Sequence, residues 1–162
     1  MRSCKTTTPG ASVDREDLVD SAKPSGFVHS MWPARPEYLG SMRAAVRSWL
    51  ATLELSADVQ MDLVLATNEA SSNAIEHAYP PEPSSNAMVE LTFWTELNAL
   101  HIEIVDYGTW RPPSAAAPGD HGRGISLMQQ LASTVVISTD TAGTTVLLEH
   151  PLSGNGHTTP RL

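Results

Sequence analysis

The sequence reads L-V-L-A-T-N-E-A-S-S-N-A-I-E-H-A-Y from Leu63 to Tyr79. Its apolar residues recur at helical spacing, and the same spacing predicts that Glu69, Asn73 and His77 project from one helix face. A carboxylate can orient or deprotonate a hydroxyl, and a carboxamide oxygen is a neutral ligand that suits Mg²⁺. This helix is therefore the first candidate for a functional site, although polar pairs of this kind are also common on solvated helix faces.

The segments around this helix show alternating patterns typical of strands and periodic patterns typical of helices. The helix itself begins after Ser56 and ends before Pro80, which cannot continue it. The other predicted elements are a strand at Phe27–Trp32, a helix from Glu37 to about Leu53, a hairpin of Met88–Thr95 and Leu100–Asp106, a short helix at Ile125–Ala132, and strands at Thr134–Thr139 and Thr144–His150.

This order of elements, with helices segregated from strands that pair through short turns, predicts an α+β fold. We expect a two-layer α/β sandwich with a mixed, mostly antiparallel sheet. The domain boundaries that follow are a flexible leader at residues 1–25, one domain at residues 26–152 and a polar tail at residues 153–162.

Composition limits the classes of function. The chain has 162 residues, a net charge of −8 and a pI near 5.1, which oppose sequence-independent binding to nucleic acid or to an anionic membrane. No apolar run is long enough to span a membrane, and Cys4, the single cysteine, cannot form an internal disulfide. We therefore expect a cytoplasmic protein whose partner is a protein or a small ligand.

Two further segments are candidates for chemistry. Asp106-Tyr107-Gly108 ends a predicted strand; it is either a simple turn or an acceptor carboxylate at a pocket floor, with Gly108 allowing close approach of a ligand. Gly122-Arg123-Gly124 precedes a predicted helix; it is either a flexible entry or an anion site, where free backbone N–H groups and Arg123 meet phosphate. The Gly122 segment is not the dinucleotide fingerprint, because Leu127 stands where that fingerprint has its third glycine.

Taken in order, these motifs resemble a known family. Four motifs are similar to those of the anti-sigma factor serine-protein kinases, within the histidine-kinase-like ATPase (GHKL) superfamily: Glu69-x-x-x-Asn73-Ala74-x-x-His77-Ala78-Tyr79, Asp106-x-Gly108, Gly122-x-Gly124-Ile125 and Gly143-Thr144-Thr145-Val146. The resemblance spans about residues 26–150. One departure is Thr109-Trp110, where many relatives carry another glycine.

The resemblance implies roles for eight residues. Glu69 would accept the proton of a substrate hydroxyl, and Asn73 would ligate Mg²⁺ that bridges the phosphates of ATP. Asp106 would accept a hydrogen bond from the adenine amino group, with Gly108 admitting the ring and Thr144 close to it. The implied phosphate contacts across the lid are Gly122, Arg123 and Gly124.

The resemblance further implies an ATP-dependent serine kinase and anti-sigma factor that works by partner switching. Its partners would be a sigma factor and an anti-anti-sigma protein whose serine is phosphorylated, and a homodimer is plausible because relatives dimerise. The alternative is a non-catalytic, nucleotide-gated module that sequesters a sigma factor or another regulator. A third hypothesis, a small hydrolase in which Glu69 activates water, is disfavoured because the chain lacks the second domain of gyrase or Hsp90.

Overall fold

A computed structural model describes residues 25–80, 85–109 and 123–152. The order of elements predicted from the sequence is confirmed. They are β1 (Ser25–Pro33), a 3₁₀ helix (Pro36–Tyr38), α1 (Leu39–Leu50), α2 (Ala57–His77), β2 (Met88–Glu96), β3 (Ala99–Asp106), α3 (Arg123–Leu131), β4 (Thr134–Asp140) and β5 (Gly143–Pro151). The predicted leader and tail lie outside the described residues, except for Ser25, which begins β1.

The five strands form one sheet in the order β1-β2-β3-β5-β4. Every strand pair in the described ranges is antiparallel, so the α+β sandwich is confirmed and the parallel pairing that a mixed sheet allows is not found there. The β2–β3 hairpin turns through Leu97 and Asn98, both at positive φ (50° and 63°), as a two-residue type I′ turn requires.

The first helix differs from its predicted bounds. It was expected from Glu37 to about Leu53, but α1 spans Leu39–Leu50 and follows the 3₁₀ turn at Pro36. Proline lacks the N–H that an α-helical turn uses, and the Tyr38 N–H bonds to the carbonyl of Arg35 (3.1 Å), which closes a tighter turn. The predicted buried stripe is nevertheless present, since its central residues Met42, Val46, Trp49 and Leu50 are all buried.

Helix α2 lies over the sheet and carries the centre of the core. Its first turn is capped by the Ser56 hydroxyl, which accepts the Val59 N–H (3.3 Å). The predicted inward stripe is confirmed and extended, with Leu63, Ala66, Thr67, Ala70, Ser71 and Ala74 buried. Facing it, alternate residues of β2 and β3 are buried, namely Val89, Leu91 and Phe93, and Leu100, Ile102 and Ile104.

No helix within the described ranges is both long and apolar enough to cross a membrane.

The end of α2 meets the turn after β3 without room for a side chain. A Cβ added to Gly108 would lie 2.1 Å from the carbonyl oxygen of Ala78, the residue after α2. The same carbonyl accepts the N–H of Thr109 at 3.0 Å. The backbone at the end of α2, the helix that carries Glu69 and Asn73, therefore packs directly on the backbone of the turn after Asp106, which is the candidate pocket floor.

We expect Gly108→Ala to destabilise the fold by about 2 kcal/mol or more, because a methyl group there overlaps backbone that cannot rotate away. Gly40→Ala is the matched control. Gly40 lies in α1 with only the Arg43 guanidinium near its Cβ position (3.7 Å), so alanine should raise stability slightly through its helix propensity. Urea unfolding of both variants measures the difference, and equal stabilities would refute the close approach.

Candidate functional site

Asp106 is the last residue of β3 and only 4% exposed. It continues the inward alternation of Leu100, Ile102 and Ile104, so its carboxylate points to the helix side of the sheet. One oxygen, Oδ1, accepts the backbone N–H groups of Gly108 (3.1 Å) and Thr144 (3.3 Å). The other oxygen, Oδ2, has no hydrogen bond from any residue that the structure describes. Asp106 therefore offers one anchored and one open acceptor.

Burial raises the pKa of Asp106, and the hydrogen bonds from Gly108 and Thr144 counter that rise. Thr144 lies directly opposite Asp106 in the register of β3 with β5. Its buried hydroxyl is near enough to favour the ionised carboxyl, yet forms no hydrogen bond of good geometry within the described residues. A buried polar atom without a partner is uncommon in proteins. The open oxygen of Asp106 and this hydroxyl together form a polar pair suited to a ligand.

Gly143 explains how β5 comes so close to Asp106. Its φ is +148°, and a Cβ there would lie 1.8 Å from the carbonyl oxygen of Asp106. Only glycine fits this position, and the fit brings the Thr144 N–H to the carboxylate. The sequence identified Gly143 only as part of a motif. The structure shows that a glycine is needed there because β5 approaches the Asp106 carbonyl too closely for a Cβ.

The predicted pair Glu69 and Asn73 lies half-buried on α2, across from the first turn of α3. A Cβ added to Gly124 would lie 3.3 Å from Asn73 Nδ2, 3.5 Å from Asn73 Oδ1 and 3.4 Å from Glu69 Oε2. Glycine thus lets the N-terminus of α3 sit directly on the pair. The backbone N–H groups of a helix N-terminus carry partial positive charge, so the polar face of α2 and the positive end of the α3 dipole come together here.

The described residues bear on only some of the remaining site predictions. Gly108 was expected to admit a ligand ring, and this stays a prediction; the structure adds a packing role, because Ala78 fills the space where a Cβ would lie. Gly122, Trp110 and the side chain of Arg123 lie outside the described residues, and the phosphate contacts expected of Gly122 and Arg123 stay predictions. His77 is the last residue of α2 and half-buried, on the same helix as Glu69 and Asn73.

Sequence reasoning missed the contribution of Tyr79. Its hydroxyl bonds to the carbonyl of Met88 (2.5 Å) and to the N–H of Tyr107 (2.9 Å), which connects the end of α2 to the candidate pocket floor. The available signal was a tyrosine directly after the helix and before Pro80, since a half-buried tyrosine normally finds a partner for its hydroxyl.

The chain matches proteins of known families. Residues 32–149 match the family model described as the histidine kinase-like ATPase domain. Serine-protein kinase RsbW of Bacillus licheniformis is 30% identical over 82 residues, which cover 51% of this chain and 50% of RsbW. The chain thus spans about half the length of the curated relative it matches there. Anti-sigma F factor of Geobacillus stearothermophilus is 26% identical over 133 residues, covering 75% of this chain and 90% of that factor.

A solved structure also shares the fold. The crystal structure of the RsbU and RsbW domains of a Mycobacterium tuberculosis protein matches with a TM-score of 0.60 at 23% identity, covering 83% of this chain and 34% of that one. At this identity the likeness concerns the fold alone. Together the matches confirm the resemblance to anti-sigma serine kinases and the histidine-kinase-like fold.

We expect Asp106→Asn to unfold at a higher temperature than wild type at pH 7. Asparagine keeps an acceptor for both amides, whereas ionisation of a buried carboxyl with a raised pKa costs folding free energy above that pKa. As the pH falls through the raised pKa, the wild-type Asp106 carboxyl becomes protonated. The difference in melting temperature between Asp106→Asn and wild type should then narrow.

Asp140→Asn is the control, because the exposed Asp140 carboxylate also accepts two backbone N–H groups, from Ala142 (2.6 Å) and Gly143 (3.2 Å). Asp140→Asn should not show a comparable rise in melting temperature. Calorimetric melting from pH 4 to pH 8 makes the comparison. An Asp106→Asn protein that is less stable than wild type throughout would contradict the assignment of a costly buried charge.

Proposed function

Because the chain belongs to the histidine kinase-like ATPase domain family, we propose that it binds ATP and transfers the γ-phosphoryl group to a serine of a partner protein. Two of its relatives carry the names serine-protein kinase and anti-sigma F factor. The observation that carries the proposal is the Asp106 carboxylate, buried and anchored through Oδ1 while Oδ2 is open beside the Thr144 hydroxyl.

This floor fits adenine. The open oxygen of Asp106 accepts a hydrogen bond from the exocyclic amino group, and the Thr144 hydroxyl, free to donate or accept, serves a neighbouring ring nitrogen directly or through water. Guanine presents a carbonyl oxygen in place of that amino group, so it would face the carboxylate with two acceptors opposed. The site therefore prefers ATP to GTP.

The face of α2 fits the phosphates and the reaction. Asn73 supplies a neutral oxygen ligand for Mg²⁺, the α3 N-terminus supplies N–H groups for phosphate oxygens, and Gly122 and Arg123 extend this anion site. Mg²⁺ held there would neutralise part of the charge on the phosphates. Glu69 orients the serine hydroxyl and receives its proton while the serine oxygen bonds to the γ-phosphorus, the bond from that phosphorus to the bridging oxygen breaks and ADP leaves.

The partners follow from the relatives. We propose that the serine belongs to an anti-anti-sigma protein, that the chain alternately holds a sigma factor, and that it acts as a homodimer. If ATP binds but no phosphoryl group reaches any such protein, the non-catalytic nucleotide-gated module becomes the better description. Nucleotide binding therefore has to be measured before transfer.

We expect Asn73→Ala to lose Mg²⁺-dependent ATP binding, with affinity in Mg²⁺ falling at least tenfold while affinity in chelator changes little. Asn68→Ala is the matched control, since Asn68 lies on the same helix but accepts a hydrogen bond from Arg43 (2.7 Å) on α1. Isothermal titration calorimetry with and without Mg²⁺ measures both variants. Equal Mg²⁺ dependence in wild type and Asn73→Ala would remove Asn73 from the metal site.

Glu69→Gln should bind ATP as wild type does but transfer phosphate at least a hundredfold more slowly, because an amide cannot receive the hydroxyl proton. Glu76→Gln controls for loss of a carboxylate on α2, since Glu76 is exposed and, among the described residues, accepts a hydrogen bond only from the Ser72 hydroxyl (2.8 Å). Transfer of labelled γ-phosphate to a candidate anti-anti-sigma protein is the readout. Undiminished transfer by Glu69→Gln would mean that another group accepts the proton.

A further inference from the structure

The Tyr79 side chain connects the end of α2 to the turn after Asp106 by hydrogen bonds. It is half-buried and follows α2 by two positions, in the sequence His77-Ala78-Tyr79. Its hydroxyl donates to the Met88 carbonyl at the start of β2 (2.5 Å) and accepts the N–H of Tyr107 (2.9 Å). One hydroxyl thus joins a helix end, a strand start and the residue next to Asp106.

Three consecutive N–H groups hold the turn that follows Asp106. The N–H of Tyr107 bonds to the Tyr79 hydroxyl, that of Gly108 to Asp106 Oδ1, and that of Thr109 to the Ala78 carbonyl. The first and third partners both belong to the end of α2. Since the Tyr107 N–H belongs to the peptide group that begins at Asp106, its bond to Tyr79 restrains the backbone from which the Asp106 carboxylate projects.

The chemistry of the hydroxyl suits a permanent anchor. Burial is the main cause that raises the pKa of Tyr79, and the negative charge of Asp106 adds to it, against the two backbone hydrogen bonds. The hydroxyl therefore keeps its proton at neutral pH and continues to donate to Met88 while it accepts from Tyr107. Phenylalanine would fill the same space but remove the partner of both the Tyr107 N–H and the half-buried Met88 carbonyl.

We propose that Tyr79 is a positioning residue for base recognition: its hydroxyl orients the turn so that Asp106 Oδ2 is presented to the adenine amino group. The inference rests on the proposed function, because it concerns the same nucleotide site. It adds a specificity determinant that does not contact the base, and it links the base site to α2, the helix that carries Glu69 and Asn73.

The test compares nucleotide selectivity in Tyr79→Phe and in a matched control. We expect Tyr79→Phe to bind ATP roughly tenfold more weakly, with a smaller loss for GTP, so that the ratio of ATP to GTP affinity falls. Tyr38→Phe is the control, because the Tyr38 ring packs near Trp32 (6.3 Å between centroids) and its hydroxyl has no hydrogen bond within the described residues. It should leave the ratio unchanged.

The outcomes separate this inference from the proposed function. Wild type that binds neither nucleotide overturns both. If wild type prefers ATP and Tyr79→Phe has the same ratio of ATP to GTP affinity, the positioning role alone is overturned. This holds even if Tyr79→Phe binds both nucleotides more weakly and melts at a lower temperature. If Tyr79→Phe fails to fold, hydrogen exchange of the wild-type amides tests the Tyr79 hydrogen bond instead. Protection of the Tyr107 N–H comparable to that of the β3 amides supports the positioning role, and rapid exchange of that N–H refutes it.

Discussion

The site depends on the contact of three backbone segments that leave no space for a Cβ. Gly108 lies against Ala78 at the end of α2, and Gly143 lies against the carbonyl of Asp106 at the end of β3. These two contacts bring α2, β3 and β5 to one point. A side chain at either glycine would separate the segments and withdraw the N–H groups that hold the Asp106 carboxylate.

The close contacts at Gly108 and Gly143 also explain how the Asp106 carboxylate can be buried. Its desolvation is unfavourable, as the raised pKa of Asp106 indicates, and the hydrogen bonds from Gly108 and Thr144 offset only part of it. Because both bonds go to Oδ1, Oδ2 has no hydrogen bond within the described part of the chain. A residue that lowers stability while it presents an open acceptor is typical of a binding site rather than of a core, where polar groups are satisfied internally.

Much of the fold was predictable because each element carries its own periodicity. Alternation along β3 predicts that Asp106 shares the inward side of Ile102 and Ile104, and four-residue spacing places Glu69 and Asn73 on one face of α2. Errors arose where the outcome depends on neighbours. The first helix begins after a 3₁₀ turn at Pro36, and no pattern in the sequence indicated that Gly108 packs against the end of α2. A strand pattern also does not reveal whether its neighbours run parallel or antiparallel.

The sequence by itself determined the order of elements, the side of each element that faces the core, and the motifs that relate the chain to its family, because these follow from local backbone geometry and residue type. Only the tertiary structure decided which residues meet. The Tyr79 hydroxyl bonds to a residue 28 positions away, and Asp106 accepts an N–H from a residue 38 positions away. Such contacts depend on strand order, here β5 between β3 and β4, and on how closely α2 and α3 pack, which no local pattern encodes.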